Sequence, residues 1–160
     1  MSEPVVPRRV IASNSTDFVL FRIGMRFNGL RGFVPAFKTF ARMPKMLAEQ
    51  QSNPAIGMLW SSTSLSWPVI SITQFWRSFE ELERYAHAET HTDSWKWFNQ
   101  LGGDNEGTGI YHETYRISAG TYEAIYANMP LYGLAAVAGS EAIAPAMARA
   151  RARIEREPAA

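Results

Sequence analysis

Apolar and polar positions alternate along three segments of the chain, as in β-strands that present two different faces. The first segment follows Asp17 and places five apolar side chains on one face: Val19, Phe21, Ile23, Met25 and Phe27. The second runs from Met58 towards Trp67, and Pro68 indicates a turn or an edge position rather than a central strand. The third covers residues 69–76, where Ile70, Ile72 and Trp76 share one face and Val69 and Phe75 the other.

Two helices are predicted, one after the first of these strands and one after the third. Helical intervals separate Phe33, Phe37, Phe40 and Ala41 and predict a helix over residues 33–52, in which Pro44 introduces a kink or starts a second short helix. Ser78 and Glu81 form a capping-box pattern, which predicts that a second helix begins there. Polar residues 87–93 interrupt that helix, and Asp93 is expected to cap a short third one over residues 93–101.

The last third of the chain predicts two further strands and a helix. Residues 109–117 and 121–129 both read as strands, and Ser118, Ala119 and Gly120 between them predict a hairpin turn. Helix-forming residues follow from Ser140, with a group of arginines expected to be solvated: Arg149, Arg151, Arg153 and Arg156. The first six elements match βαββαβ, so the predicted fold is α+β and ferredoxin-like, with an extra C-terminal strand and helix.

This order of elements predicts three regions. Residues 1–16 are expected to be an extended leader, residues 17–139 the ferredoxin-like domain, and residues 140–160 a basic helix or tail. Helices would cover one face of the sheet, whereas Val69 and Phe75 lie on the other. An apolar sheet face that no helix covers indicates an interface, so we expect a homodimer through that face.

Composition narrows the functional classes. The 160 residues carry a net charge of +1, which argues against nucleic acid as a partner. Because cysteine is absent, thiolate metal sites, iron–sulfur clusters and a cysteine nucleophile are excluded. No apolar run reaches the roughly 18 residues that span a bilayer, and no signal peptide is evident. A cytoplasmic protein without a membrane partner is therefore expected.

Four segments of the sequence resemble a known family. They are DFVLFRIGMRFN (17–28), ISITQFWRSFEELERYAH (70–87), HTDSWKWFNQ (91–100) and GIYHETYRISAGTYEAIYANMPLYGL (109–134). Together they resemble small monooxygenase-like proteins that include a member from fumagillin biosynthesis and are similar to the antibiotic-biosynthesis monooxygenases. The resemblance implies a dimeric α/β-barrel of ferredoxin-like subunits. It also implies a monooxygenase-type oxidoreductase acting on a small apolar or aromatic metabolite.

That superfamily leaves three functions open: an oxygenase that requires no cofactor, a haem-binding enzyme and a non-catalytic binder of an apolar metabolite. The haem-binding enzyme would act as an oxygenase, a peroxidase or an aldoxime dehydratase. His87, His91 and His112 are the candidate haem ligands. The haem-degrading branch resembles this chain over residues 92–99, but its iron-ligating histidine corresponds here to Asn99. Asparagine is a poor axial ligand, which weakens the case for haem-oxygenase chemistry.

Oxygenation without a cofactor needs a base, a group that stabilises the substrate anion, and a dry pocket. His112 is the candidate base, because histidine titrates near neutral pH. Asn128 is the candidate anion-stabilising residue, with Arg22 and Arg26 as alternatives. A pocket between the sheet and the helices would be walled by five aromatic residues: Phe33, Phe37, Trp76, Trp95 and Tyr111.

Overall fold

A computed structural model describes residues 4–29, 53–87 and 107–157 of the chain. The predicted helices over residues 33–52 and 93–101 lie outside these residues. Contacts divide the chain into two units, one formed by Met1–Phe18 with Arg116–Ala160 and the other by Val19–Tyr115. This division differs from the predicted sequence of leader, domain and tail.

The larger sheet has four strands. They are β2 (Phe18–Phe27), β3 (Met58–Ser66), β4 (Val69–Trp76) and β5 (Thr108–Ile117), and they lie in the order β3-β4-β2-β5. Counted as strands one to four of a βαββαβ unit, this order is 2-3-1-4, the arrangement of a ferredoxin-like sheet. Strand β4 pairs with both β2 and β3 in antiparallel register. The ferredoxin-like prediction is therefore confirmed.

Helix α1 (Phe79–Ala86) begins where the capping pattern predicted. The Ser78 hydroxyl accepts a hydrogen bond from the Glu81 backbone N–H at 3.2 Å. The Glu81 carboxylate accepts a bond from Arg77 at 2.9 Å. A 3-10 turn (Pro54–Ile56) precedes β3.

The apolar side of α1 packs on one face of the sheet, and we call this the helix face. Its core consists of Val19, Met58, Trp76 and Leu82, against which the half-buried Phe21 and Tyr85 also pack. In the register of β2 with β4, Val19 is opposite Trp76, Phe21 opposite Gln74 and Ile23 opposite Ile72. These three pairs therefore share the helix face, because side chains alternate along a strand.

The intervening residues lie on what we call the second face. There Leu20 is opposite Phe75, Arg22 opposite Thr73 and Gly24 opposite Ser71. The ring of Trp60 on β3 meets that of Phe75 edge to face, with centroids 5.6 Å apart. The two faces predicted for residues 69–76 are thus those observed.

The smaller sheet forms in the other unit, in the order β6-β1-β7. Its strands are β1 (Val6–Ala12), β6 (Ile125–Met129) and β7 (Ser140–Ala142). The central strand β1 falls within the predicted leader and ends in three buried residues, Val10, Ile11 and Ala12. Helices α2 (Leu134–Ala138) and α3 (Ala150–Ile154) and a 3-10 turn (Pro145–Met147) complete the described elements of this unit.

The predicted hairpin between residues 109–117 and 121–129 is wrong, because β6 pairs with β1 and not with β5. The intervening chain is bonded to residues just after β1 instead. Asp17 accepts a hydrogen bond from the Ala119 N–H at 2.7 Å, and the Tyr122 hydroxyl donates to the Thr16 carbonyl at 2.9 Å. Residues 121–124 are consequently not part of a strand.

The C-terminal segment also differs from the prediction of a solvated helix. Residues 140–142 form strand β7, and the helix is only five residues long. Arg153 is buried, donates to Glu123 at 2.7 Å, and donates to the carbonyls of Met147 and Ala148 at 2.9 and 3.1 Å. Arg156 pairs with Glu141 and donates to the Ala12 carbonyl at 2.8 Å. These bonds connect the end of the chain to earlier parts of the same unit.

Candidate functional site

His112 lies in the middle of the edge strand β5 and its side chain is exposed. Its imidazole contacts the ring of Phe21 on the neighbouring strand β2, with centroids 6.0 Å apart and planes inclined by 33°. Because Phe21 belongs to the helix face, this contact places His112 on the same face. The predicted base therefore lies on the side of the sheet where a pocket was expected.

Phe21 lies beside a buried polar residue on the neighbouring strand β4. Gln74 lies opposite it on β4 and is 5% exposed. The Gln74 side-chain carbonyl accepts a hydrogen bond of 3.1 Å from the indole N–H of Trp76. This bond satisfies two polar groups that would be costly to bury unpaired. Gln74, Phe21 and His112 thus form a row across β4, β2 and β5, buried at Gln74 and exposed at His112.

Trp76 was predicted as a pocket wall, but the structure places it in the core. Its side chain is 0% exposed, and its ring meets that of Tyr85 with centroids 5.4 Å apart. The tryptophan therefore supports the sheet beneath α1. Its contribution to a ligand site stays a prediction.

Tyr111, predicted as another wall of the same pocket, lies on the opposite face from His112. A Cβ atom at Gly24 would be 2.4 Å from Tyr111 Cε1 and 2.8 Å from its hydroxyl oxygen. The tyrosine ring therefore lies flat across β2 where Gly24 has no side chain, on the second face. Neighbouring residues of a strand point to opposite faces, so Tyr111 and His112 do not line one surface.

A polar cluster occupies the second face beside Tyr111. Arg22 and Glu113 form an ion pair at 3.2 Å, with both side chains about two-fifths exposed. Tyr115 is hydrogen-bonded to Glu113, and this bond, together with the charge of the carboxylate, raises the pKa of the phenol. Arg22 was a candidate for stabilising a substrate anion next to His112, but it lies on the face opposite His112. Arg26 donates to Asn28 at 2.6 Å.

The remaining predicted residues are dispersed. His87 is the exposed C-terminal cap of α1, and its backbone N–H donates to the Glu83 carbonyl at 3.0 Å. Asn128 is exposed on β6, in the other unit from His112. It has a φ of 54°, at the point where the register between β1 and β6 shifts. Phe33, Phe37, His91 and Trp95 lie outside the described residues, and so does Asn99.

Within residues 4–29, 53–87 and 107–157, no group of three or more His, Cys, Asp or Glu side chains is arranged to hold a metal ion. Over the same residues, no helix is both long and apolar enough to cross a membrane.

The strand order of the larger sheet defines a ferredoxin-like fold. The chain belongs to the monooxygenase af470-like family, which matches residues 18–134. Monooxygenase af470 of Aspergillus fumigatus is 28% identical over 120 residues, which make up 69% of this chain and 42% of that protein. The family match includes β2 to β6 and leaves β1 outside.

Solved structures of aldoxime dehydratases share the fold. One, OxdRE in complex with butyraldoxime, has a TM-score of 0.64 at 16% identity and covers 87% of this chain and 41% of that one. A second aldoxime dehydratase has a TM-score of 0.63 at 18% identity, with coverage of 87% and 44%. The chain therefore spans less than half the length of each of these relatives. Similarity at this identity shows the fold alone.

Proposed function

We propose that this protein is a monooxygenase-type oxidoreductase that oxygenates a small apolar or aromatic metabolite on the helix face of its larger sheet. Family membership over residues 18–134 supports the class of reaction. The position of His112 supports the place: an accessible imidazole stands next to the apolar ring of Phe21, on the face that α1 packs against.

The chemistry proposed for this site requires a substrate with an acidic C–H bond. His112 takes the proton from carbon, and the resulting carbanion donates electrons to dioxygen. Anthrone illustrates the balance, because its methylene group loses both hydrogens, one oxygen atom becomes the new carbonyl and the other leaves as water. The substrate supplies all four electrons that dioxygen takes up, so no further reductant is needed. Asn128 stays a predicted anion-stabilising residue.

Oxygen uptake with anthrone as the probe tests this proposal. The wild-type protein is expected to accelerate uptake over a blank without protein, and His112→Gln to lower the rate by about two orders of magnitude or more, the usual contribution of a general base. His87→Gln is the matched control, because it removes an exposed histidine at a helix end of the same unit. If His112→Gln and His87→Gln took up oxygen at equal rates, His112 would not be the base.

A second part of the proposal is a homodimer formed through the second face. That face carries the half-buried Trp60 ring, which packs on the buried Phe75, next to the Arg22–Glu113 pair. A two-fold interface needs a surface complementary to itself, and adjacent opposite charges provide this. Arg22→Glu should therefore yield monomers in sedimentation velocity, whereas Arg84→Glu on the exposed side of α1 should not. A monomeric wild-type protein would refute the dimer.

The haem-binding enzyme is the alternative proposal. Both described candidate ligands, His87 and His112, are exposed, which does not fit an axial ligand enclosed in an apolar pocket. No step of the proposed reaction passes through haem. A Soret band at stoichiometric occupancy after expression with haem supplied, lost in His112→Gln or His87→Gln, would favour this alternative. Binding of anthrone without oxygen uptake would favour the non-catalytic binder.

A further inference from the structure

We propose that Phe21 is a positioning residue for His112, holding the imidazole in the orientation needed to take a proton from the substrate. This inference rests on the proposed function, since it assigns a role within the same site. Phe21 belongs to β2 and His112 to β5, so the contact crosses the boundary between two neighbouring strands.

The contact joins a half-buried ring to an exposed one. Phe21 packs against the core cluster that contains the fully buried Trp76. It lies opposite Gln74, which is held by the Trp76 indole. An exposed histidine side chain samples several rotamers, and ordering it costs conformational entropy. A half-buried ring that packs against the core reduces the number of rotamers available to the imidazole beside it.

The geometry suits this role. The centroid separation of 6.0 Å falls within the 4.5–7 Å over which aromatic pairs attract each other. The 33° inclination leaves the imidazole neither stacked flat nor edge-on, and the His112 side chain is exposed. Losing the attraction between two aromatic rings at this separation corresponds to a change of about three- to tenfold in a rate that depends on the orientation of the imidazole.

Two substitutions separate positioning from packing. Phe21→Leu keeps an apolar side chain against the core but removes the ring beside His112. Phe21→Tyr keeps the ring and adds one hydroxyl. We expect Phe21→Leu to lower kcat for anthrone oxygenation about three- to tenfold with KM within about twofold, and Phe21→Tyr to retain most of kcat.

A readout on the imidazole itself needs no substrate. The chain has three histidines, so the His112 Cε1–H resonance can be assigned by its loss in His112→Gln. Nuclear Overhauser contacts between this proton and the Phe21 ring are expected in the wild-type protein and, with the tyrosine ring, in Phe21→Tyr. The order parameter of the same C–H bond should fall in Phe21→Leu.

An unchanged order parameter in Phe21→Leu, or an unchanged kcat in that variant, would overturn the positioning role. Failure of the proposed function itself would be recognised by a separate combination of results. If Phe21→Leu loosens the imidazole while His112→Gln retains wild-type turnover, His112 is not the base, and the contact with Phe21 then has no catalytic role.

Discussion

Removing the side chain of Arg153 should destabilise the unit that contains β1, β6 and β7 far more than removing that of Arg151, two residues earlier on the same helix. Arg153 is 7% exposed and its partner Glu123 is 26% exposed. Arg151 pairs with Glu155 at 3.3 Å, but these side chains are 85% and 63% exposed. The two arginines thus form the same kind of ion pair in different surroundings.

The expected magnitude follows from the bonds that are lost. Arg153→Ala removes one charge-assisted bond to Glu123 and two to the carbonyls of Met147 and Ala148. Breaking a buried ion pair costs about 3–5 kcal/mol. Because the Glu123 carboxylate is partly exposed and can be rehydrated, we expect about 2–4 kcal/mol. For Arg151→Ala the expected loss is about 0.5 kcal/mol or less.

Chemical denaturation followed by circular dichroism gives the free energy of unfolding for both variants. Hydrogen exchange measured by mass spectrometry then locates the effect, which should appear in peptides covering β6, β7 and α3. All five tryptophans lie between residues 60 and 97, so their fluorescence reports separately on the other unit. Equal losses for the two variants, or a loss below about 1 kcal/mol for Arg153→Ala, would refute the reasoning.

Three further predictions concern the larger sheet. Gly24→Ala should displace the Tyr111 ring and lower the free energy of unfolding by about 1–3 kcal/mol. A double-mutant cycle with Tyr111→Ala should show that most of this cost depends on the tyrosine ring. Trp76→Ala should cost about 3–5 kcal/mol in denaturant unfolding, because the indole is fully buried; a loss below about 1 kcal/mol would contradict its place in the core. Glu113→Ala should lower the pKa of Tyr115 towards 10.0, because it removes both the hydrogen bond and the negative charge that disfavour the phenolate. Absorbance at 295 nm is measured against pH, and the titration of Tyr115 is identified by its loss in Tyr115→Phe.

The larger sheet could be predicted because its strands carry strong local signals. Residues 69–76 alternate in hydrophobicity between two turn signals, and the strand has those bounds in the structure. Ser78 marked the beginning of α1 through the hydroxyl that caps its first turn. In both cases the deciding interactions lie within the segment or next to it.

The smaller sheet could not be predicted in this way, because its pairing is between distant parts of the chain. Strand β1 contains a proline and two exposed arginines, and its partners β6 and β7 follow more than 110 residues later. Nothing in residues 118–120 shows that Asp17 accepts the hydrogen bond of Ala119. The local turn pattern therefore predicted the wrong partner for β6.

The candidate site was predicted in part. His112 was proposed as the base, a role that stays a prediction, and Tyr111 was assigned to the same pocket although neighbouring strand residues point to opposite faces. The lone glycine in β2 carried a second signal, since glycine inside a strand often marks a close approach. The contact between Gly24 and Tyr111 is such an approach. The pairing of Phe21 with His112 depends on strand order and had no local signal.

Isotope labelling tests the central claim most directly. The wild-type protein is first checked for the absence of a Soret band. Under ¹⁸O₂ it should then convert anthrone to anthraquinone carrying one labelled oxygen atom, faster than the blank. His87→Gln should do the same, and His112→Gln should fall close to the blank. Labelled product formed at the wild-type rate by His112→Gln, or no product above the blank from the wild-type protein, would contradict the account.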